Sequence, residues 1–135
     1  MKCVPKYLYS ILISISLICF SCEKFSGGGD SITGTWHCNE ESASGFRQYS
    51  VGIDRAGVGF DSTYFVLLNF HNLGFDFETY VHLKDTVLTF VTNNQAYSIS
   101  GKGYVSKNRK SIDWSYNISG ANANEFGVRA LYLRQ

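Results

Sequence analysis

This 135-residue chain has few prolines, few charged residues and almost no excess of basic over acidic residues. The last two features argue against one class of binding partner. The only proline is Pro5, and charged residues make up 17% of the sequence. The formal net charge is +1; residues 1–21 hold two of the 12 basic residues and no acid, which leaves ten basic against 11 acidic residues beyond them. Nucleic-acid binding requires a basic surface that neutralises phosphates. The sequence therefore indicates no nucleic-acid partner.

Histidines and catalytic motifs are scarce as well. His37, His71 and His82 are the only histidines, and no two have the spacing that would place metal ligands on one face of a strand or helix. We expect them on polar outer faces. Asp76 and Glu78, which share a strand face with His82, are the best acid–base pair, and we interpret that face as a solvated surface. The sequence thus predicts no enzyme, no metal site and no cofactor.

The positions of the four cysteines argue against a disulfide framework within the domain. Cys3 and Cys19 lie in an N-terminal apolar segment, and Cys22 follows it directly. Cys38 then remains alone in the domain. We expect it to be a buried, unpaired thiol, with a reactive thiol or an intermolecular bridge as the alternatives.

The N-terminus has the pattern of a secretory signal. Lys2 and Lys6 precede an apolar run from Leu8 to Phe20, which is too short to span a bilayer comfortably. We therefore divide the chain into a signal peptide at residues 1–21, a flexible tether at residues 22–30 and one domain at residues 31–135. A plain signal peptide or an uncut signal anchor is the alternative.

The residues around the cysteine at the end of that segment resemble a known processing signal. The sequence Phe20-Ser21-Cys22-Glu23 resembles a bacterial lipoprotein signal, although Cys19 stands where that family usually has leucine. The resemblance implies lipid attachment at Cys22 and a membrane anchor. Because Glu23 is not the aspartate that retains lipoproteins in the inner membrane of well-studied bacteria, it also implies the outer membrane, on its periplasmic or surface side.

The remainder of the chain has the composition of an all-β domain. β-branched and aromatic residues are frequent, and Gly, Asn and Asp mark turns at intervals of roughly 8 to 14 residues. This spacing predicts eight strands, at residues 35–42, 47–55, 63–70, 75–84, 86–92, 96–106, 111–119 and 125–133. Consecutive antiparallel strands with short turns are most simply closed into an up-and-down barrel, with a two-sheet sandwich as the alternative.

Alternation along the strands predicts which side chains point inward. In the first strand Trp36 and Cys38 share a face, and the adjacent Glu40 and Glu41 point to opposite faces. The seventh strand alternates most regularly, and the eighth is expected to place four residues on one face: Phe126, Val128, Ala130 and Tyr132.

Two further resemblances concern this domain. Gly34-Thr35-Trp36 with Arg134 near the other end of the chain resembles the lipocalin family, in which the tryptophan closes one barrel end beneath an arginine; Arg129 is the alternative for that arginine. The succession Asn69-Phe70, Gln95, Gly101-Lys102-Gly103 and residues 112–116 is similar to small lipocalin-like lipoproteins of Bacteroides-type bacteria. These resemblances imply an eight-stranded barrel in the cell envelope. Together with the lack of catalytic motifs, they lead us to expect a non-enzymatic binding role.

The binding site itself has two interpretations. An eight-stranded barrel is either filled by side chains or holds one small ligand, and a small apolar ligand would be lined by Tyr49, Phe77, Phe90, Trp114 and Tyr116. Alternatively, the exterior binds a macromolecular partner of unknown identity through exposed aromatic and apolar residues, for which we consider Phe65, Leu67, Tyr80 and Tyr104.

Overall fold

The computed structural model describes residues 31–91 and 96–135, which form a closed barrel of eight antiparallel strands. The strands are β1 (Gly34–Ser42), β2 (Gly45–Arg55), β3 (Tyr64–Leu68), β4 (Glu78–Lys84), β5 (Val87–Phe90), β6 (Tyr97–Val105), β7 (Ser111–Gly120) and β8 (Asn124–Arg134). The predicted signal peptide, tether and Cys22, together with Gln95, lie outside the described residues.

Each strand pairs with its neighbours in sequence, and β1 also pairs with β8 to close the barrel. Trp36 of β1 stands opposite Val51 of β2 on one side and opposite Arg134 of β8 on the other. The pairing of the first strand with the last therefore brings Trp36 and Arg134 together at one end of the barrel. The predicted up-and-down barrel is confirmed, and the sandwich alternative is wrong. Closure pairs the backbone of the first and last strands, which would otherwise be sheet edges.

The core forms where the side-chain alternation of the strands predicts it. In β7 the four inward residues are buried and the outward ones between them are exposed. In β3, Phe65, Val66 and Leu67 are all buried, as the apolar run on both faces predicts. Phe65 and Leu67 therefore do not belong to an exposed patch, and that part of the exterior interpretation is wrong.

Gly103 in β6 allows a large ring to lie against the strand. A Cβ atom at this position would stand 2.8 Å from the indole of Trp114 on the neighbouring strand. Gly101 is similarly close to the β7 backbone, since a Cβ there would stand 2.2 Å from the carbonyl oxygen of Ser115. The two glycines therefore allow β6 and the side chains of β7 to lie close together.

The β3–β4 connection differs from the prediction. Strands were expected over residues 63–70 and 75–84, but β3 ends at Leu68, and one 3₁₀ turn (Phe70–Asn72) follows. Asn69, His71 and Asn72 adopt left-handed backbone angles, with φ values of 63°, 54° and 57°. The chain therefore turns inward at this point, and Phe70 and His71 are buried.

A bulge in β8 overturns the predicted position of Phe126. The register between β7 and β8 shifts between Tyr116 and Ile118, and Gly127 adopts a φ of 66°. The side chain of Asn117 accepts a hydrogen bond from the Gly127 backbone N–H at 2.7 Å. The extra residue reverses the alternation, so Phe126 points outward and is 66% exposed, while Val128, Ala130 and Tyr132 point inward as predicted.

The two ends of the barrel are chemically different. The end at which residues 31–33 meet Arg134 is called the Trp36 end, and the end with the β1–β2, β3–β4 and β7–β8 connections is called the Glu40 end.

Among the described residues, no helix has the length and apolar character needed to cross a membrane.

Candidate functional site: a buried carboxylate at one end of the barrel

The Trp36 end brings together the three residues of the predicted barrel-end motif. Arg134 lies over the indole of Trp36, with its guanidinium carbon 5.6 Å from the ring centroid. It donates hydrogen bonds to the carbonyl oxygens of Ser31 (2.8 Å) and Thr33 (2.7 Å). The Trp36 Nε1–H donates to the carbonyl of Ile32 at 2.9 Å. Gly34, with φ 129°, stands beside Arg134. These contacts close the Trp36 end.

The five predicted ligand-lining residues point inward, but another side chain lies among three of them. Phe70 enters the barrel from the β3–β4 connection and packs against Phe90, Trp114 and Tyr116, at ring-centroid distances of 5.4, 6.0 and 4.7 Å. Phe77 packs against Tyr97 instead. Phe70 thus occupies the space that these aromatic rings would offer to an apolar ligand.

Tyr49 and Tyr116 serve a polar function, because both donate hydrogen bonds to the carboxylate of Glu40. Glu40 has no exposed surface although it is an acidic residue. Its Oε2 accepts from the hydroxyls of Tyr49 and Tyr116, the latter at 2.5 Å, and lies 3.2 Å from Nδ1 of His71. Three donors from β2, β7 and the β3–β4 connection therefore converge on one oxygen.

The other oxygen of Glu40 faces a cation. Arg47 Nη2 donates to Glu40 Oε1 and to Glu125 Oε2 at 3.0 Å, and it lies 3.2 Å from His71 Nε2. Ser44 on the β1–β2 turn donates to the second oxygen of Glu125. Two carboxylates, one imidazole and one guanidinium thus form a single group, which we call the Glu40 cluster: Glu40, Arg47, His71 and Glu125.

The hydrogen bonds keep Glu40 ionised in spite of its burial. Burial alone raises the pKa of this carboxyl, but hydrogen bonds from His71, Tyr116 and Tyr49 outweigh the desolvation and lower the pKa to about 2. For the Tyr49 and Tyr116 hydroxyls, burial raises the pKa, so both remain donors at every ordinary pH. Glu40 is therefore a negative charge that the fold maintains.

The two ring nitrogens of His71 face different partners. Arginine can only donate hydrogen bonds, so Nε2, the nitrogen that Arg47 contacts, can bond to it only through its lone pair. The ring proton then lies on Nδ1, which faces Glu40 and the Tyr116 hydroxyl, 2.7 Å away. In this arrangement Nε2 of the imidazole is directed at the cation.

Sequence reasoning placed His71 incorrectly and missed Glu40 and Arg47. The expectation of a polar outer face is wrong for His71, which is 2% exposed. A signal for Glu40 was present, because alternation puts it on the same inward face as Trp36 and Cys38. The inward position of His71 had no such signal, since it depends on the left-handed turn after β3 and not on a periodic pattern.

The predicted acid–base pair does not form a comparable group. Asp76 and Glu78 are exposed, and Glu78 accepts a hydrogen bond from the Tyr80 hydroxyl at 2.7 Å. His82 stacks on Tyr64, with ring centroids 4.5 Å apart. Glu78 and His82 on β4 are consistent with the interpretation of a solvated strand surface, whereas Asp76 precedes β4 and does not share a strand face with them.

Cys38 is a free, fully buried cysteine, as predicted. Burial raises the pKa of its thiol to about 12, against a smaller lowering effect of a hydrogen bond with Tyr49. Because the thiolate is the reactive form, this thiol is inert in the folded barrel.

A continuous outer face surrounds Arg129 on β8. Its neighbours across the strands are Glu41 on β1 and Ser115 on β7, and the row beside it contains the outward residue Leu131. Surface depressions adjoin Arg129 on several sides, and they are lined by residues that include Phe46, Tyr104, Asp113, Leu131 and Glu41. We call Arg129 and these five residues the Arg129 face. Phe46 is 64% exposed and Tyr104 is 53% exposed.

Comparisons of the chain with protein-family models, with curated proteins and with solved structures found no match.

Proposed function

We propose that this chain is a lipid-anchored, lipocalin-like protein of the cell envelope that catalyses no reaction and binds a protein partner through the Arg129 face. The observation that supports the exterior site is the continuity of that face, because the exposed rings of Tyr104 and Phe46 line two separate surface depressions that share Arg129 and Asp113. The few residues that contribute most of the binding energy at protein interfaces are enriched in Trp, Tyr and Arg.

The filled interior supports the exterior site over an internal one. Phe70 lies among Phe90, Trp114 and Tyr116, so a ligand would have to displace a packed aromatic ring. Displacing Phe70 would remove buried apolar contacts, at a cost of about 3–5 kcal/mol for a side chain of this size. The exterior needs no such rearrangement.

Co-purification from envelope membranes tests the exterior site. The wild-type chain, crosslinked in cells, is expected to recover a specific protein that Arg129→Ala and Phe46→Ala lose. Phe75→Ala is the matched control, because Phe75 is also an exposed phenylalanine, at 58%, but lies in the β3–β4 connection. Equal recovery by all four chains would refute an Arg129-face interface.

The proposed location in the cell envelope rests on the N-terminal sequence and has its own test. Mass spectrometry of the N-terminal peptide from outer-membrane fractions is expected to find Cys22 as the first residue, carrying a diacylglyceryl group on its thiol and an acyl group on its amine. Cys22→Ala should leave the membrane fraction. An unmodified Cys22 within a longer peptide would refute the lipid anchor.

A small ligand within the barrel is the second candidate, and one observation favours it. Thr79 Oγ1, Trp114 Nε1 and the Tyr132 hydroxyl are buried without a hydrogen-bond partner among the described residues. Buried polar groups normally have partners, so a bound molecule with acceptor atoms would satisfy them. Untargeted mass spectrometry of the natively purified chain tests this: a stoichiometric compound lost in Trp114→Phe would establish the internal site.

A further inference from the structure

Three metal-ligating atoms of the Glu40 cluster converge on one point. Oε1 of Glu40, Oε2 of Glu125 and Nε2 of His71 all contact the same atom, Arg47 Nη2, at 3.2 Å or less. The three side chains offer ligand atoms that lie within 4.8 Å of one another. The position that the guanidinium nitrogen takes is therefore a cation position enclosed by two carboxylates and an imidazole.

We propose that this position is a binding site for a divalent transition-metal ion, with Glu40, His71 and Glu125 as ligands, and that Arg47 fills it when the metal is absent. The proposal goes against the sequence-based expectation of no metal site, which rested on histidine spacing alone. It is independent of the proposed partner-binding function.

The ligands are oriented before a metal arrives. Oε2 of Glu40 is held by Tyr49, Tyr116 and the Nδ1 side of His71, which leaves Oε1 directed at the cation position. The same contact with Glu40 keeps the His71 proton on Nδ1 and its lone pair on Nε2. A metal-binding histidine almost always has such a carboxylate or carbonyl partner on its other nitrogen.

The separation of the ligand atoms suits a small transition-metal ion. Nε2 of His71 and Oε2 of Glu125 are 3.6 Å apart. Two ligands at about 2.1 Å from a tetrahedral zinc ion are about 3.4 Å apart, so small side-chain movements would complete the contacts. An imidazole among the ligands favours zinc and its transition-metal neighbours over Mg²⁺ or Ca²⁺, which prefer oxygen.

Charge and exposure allow the exchange with Arg47. Glu40 and Glu125 carry two negative charges, which one guanidinium only half neutralises and a divalent ion would neutralise fully. The Arg47 side chain is 36% exposed, and its Nε has no hydrogen-bond partner among the described residues. Arg47 stands near the start of β2, beside the β1–β2 turn, so its side chain can rotate into solvent and leave the fourth coordination position open.

Metal titration of the full chain in detergent tests the proposal. Co²⁺ is expected to bind with one-to-one stoichiometry and to produce visible d–d absorption without the sulfur-to-cobalt band that cysteine ligands would add. Zn²⁺ should displace it. Arg47→Gln removes the competing cation, so its affinity for Co²⁺ should exceed that of the wild type by about ten-fold or more.

Ligand variants locate the site. In the Arg47→Gln background, His71→Ala and Glu125→Gln should each weaken Co²⁺ binding by about ten-fold or more. Glu41→Gln in the same background is the matched control, because Glu41 is the exposed neighbour of Glu40 on the opposite strand face. It should leave the affinity unchanged.

Two results would overturn the proposal: no cobalt spectrum with the wild type, or binding that persists fully in His71→Ala. Should Arg47→Gln be unfolded without metal, recovery of its β-sheet circular dichroism on adding Zn²⁺ would support the site. Failure to recover, with a wild type that binds no Co²⁺, would refute it.

Discussion

Glu40 is a carboxylate without exposed surface that nevertheless stays charged, because donors from several parts of the chain face it. An unpaired charge at this depth would cost several kcal/mol, and the contacts with Tyr49, Tyr116, His71 and Arg47 offset that cost. Their contacts bind the β3–β4 connection and strands β2 and β7 to β1 at the Glu40 end. A single side chain thereby couples parts of the barrel that are distant in sequence.

Glu40 should make the stability of the barrel sensitive to acid. Its pKa is lowered from 4.5 to about 2 on folding, so its contribution is present above pH 4.5 and lost as the pH falls towards 2. The lost free energy of unfolding is on the order of 3 kcal/mol. Urea unfolding of Glu40→Gln between pH 7 and pH 2 should lack this loss and show lower stability at pH 7.

Glu41→Gln is the control for that measurement, since it removes the adjacent exposed carboxyl. It should retain the acid-dependent loss of the wild type. If Glu40→Gln lost stability with acid as steeply as the wild type, Glu40 would not be the group that titrates.

The β3–β4 connection is the element that most determines the character of the interior. It supplies Phe70 to the aromatic core and His71 to the Glu40 cluster, from adjacent positions in one 3₁₀ turn. Left-handed angles at Asn69, His71 and Asn72 carry a strain of about 1–2 kcal/mol per residue. Asn69 offsets part of it by donating to the carbonyl of Ser50 and accepting from the Gly74 N–H, both at 2.8 Å.

Phe70→Ala should destabilise the barrel by about 3–5 kcal/mol, because it leaves a cavity among Phe90, Trp114 and Tyr116. Phe75→Ala, in the same connection but 58% exposed, should change the free energy of unfolding by less than about 0.5 kcal/mol. Chemical denaturation of both variants measures the difference. Similar values for the two would mean that Phe70 does not fill the interior.

At the scale of the whole molecule, the closed barrel places Cys38 where only unfolding exposes it. The thiol is fully buried and its pKa is raised to about 12 from 9.0, and β1 is paired on both sides. Local opening of a sheet edge cannot reach it, since the barrel joins its first and last strands.

Alkylation of Cys38 should therefore follow global unfolding. Mass spectrometry of the Cys38 peptide is expected to find negligible labelling by iodoacetamide in buffer at pH 8, with rapid labelling in denaturing urea. Labelling that rises well below the urea midpoint would reveal a local opening of β1 or β8.

The sequence by itself determined the strand number, the order of the strands and most of the inward residues, because alternation and turn residues are local signals. It also predicted a free, buried Cys38 and that Glu40 and Glu41 point to opposite faces, although nothing local identified which of the two is buried with partners. Only the tertiary structure decided that Phe70 fills the interior, that Phe126 turns outward at a bulge, and that Arg47, His71 and Glu125 meet at Glu40. Each of these outcomes depends on contacts between different elements or on the left-handed turn after β3. Such contacts and turns do not produce a periodic pattern in the sequence, so the sequence alone does not predict them.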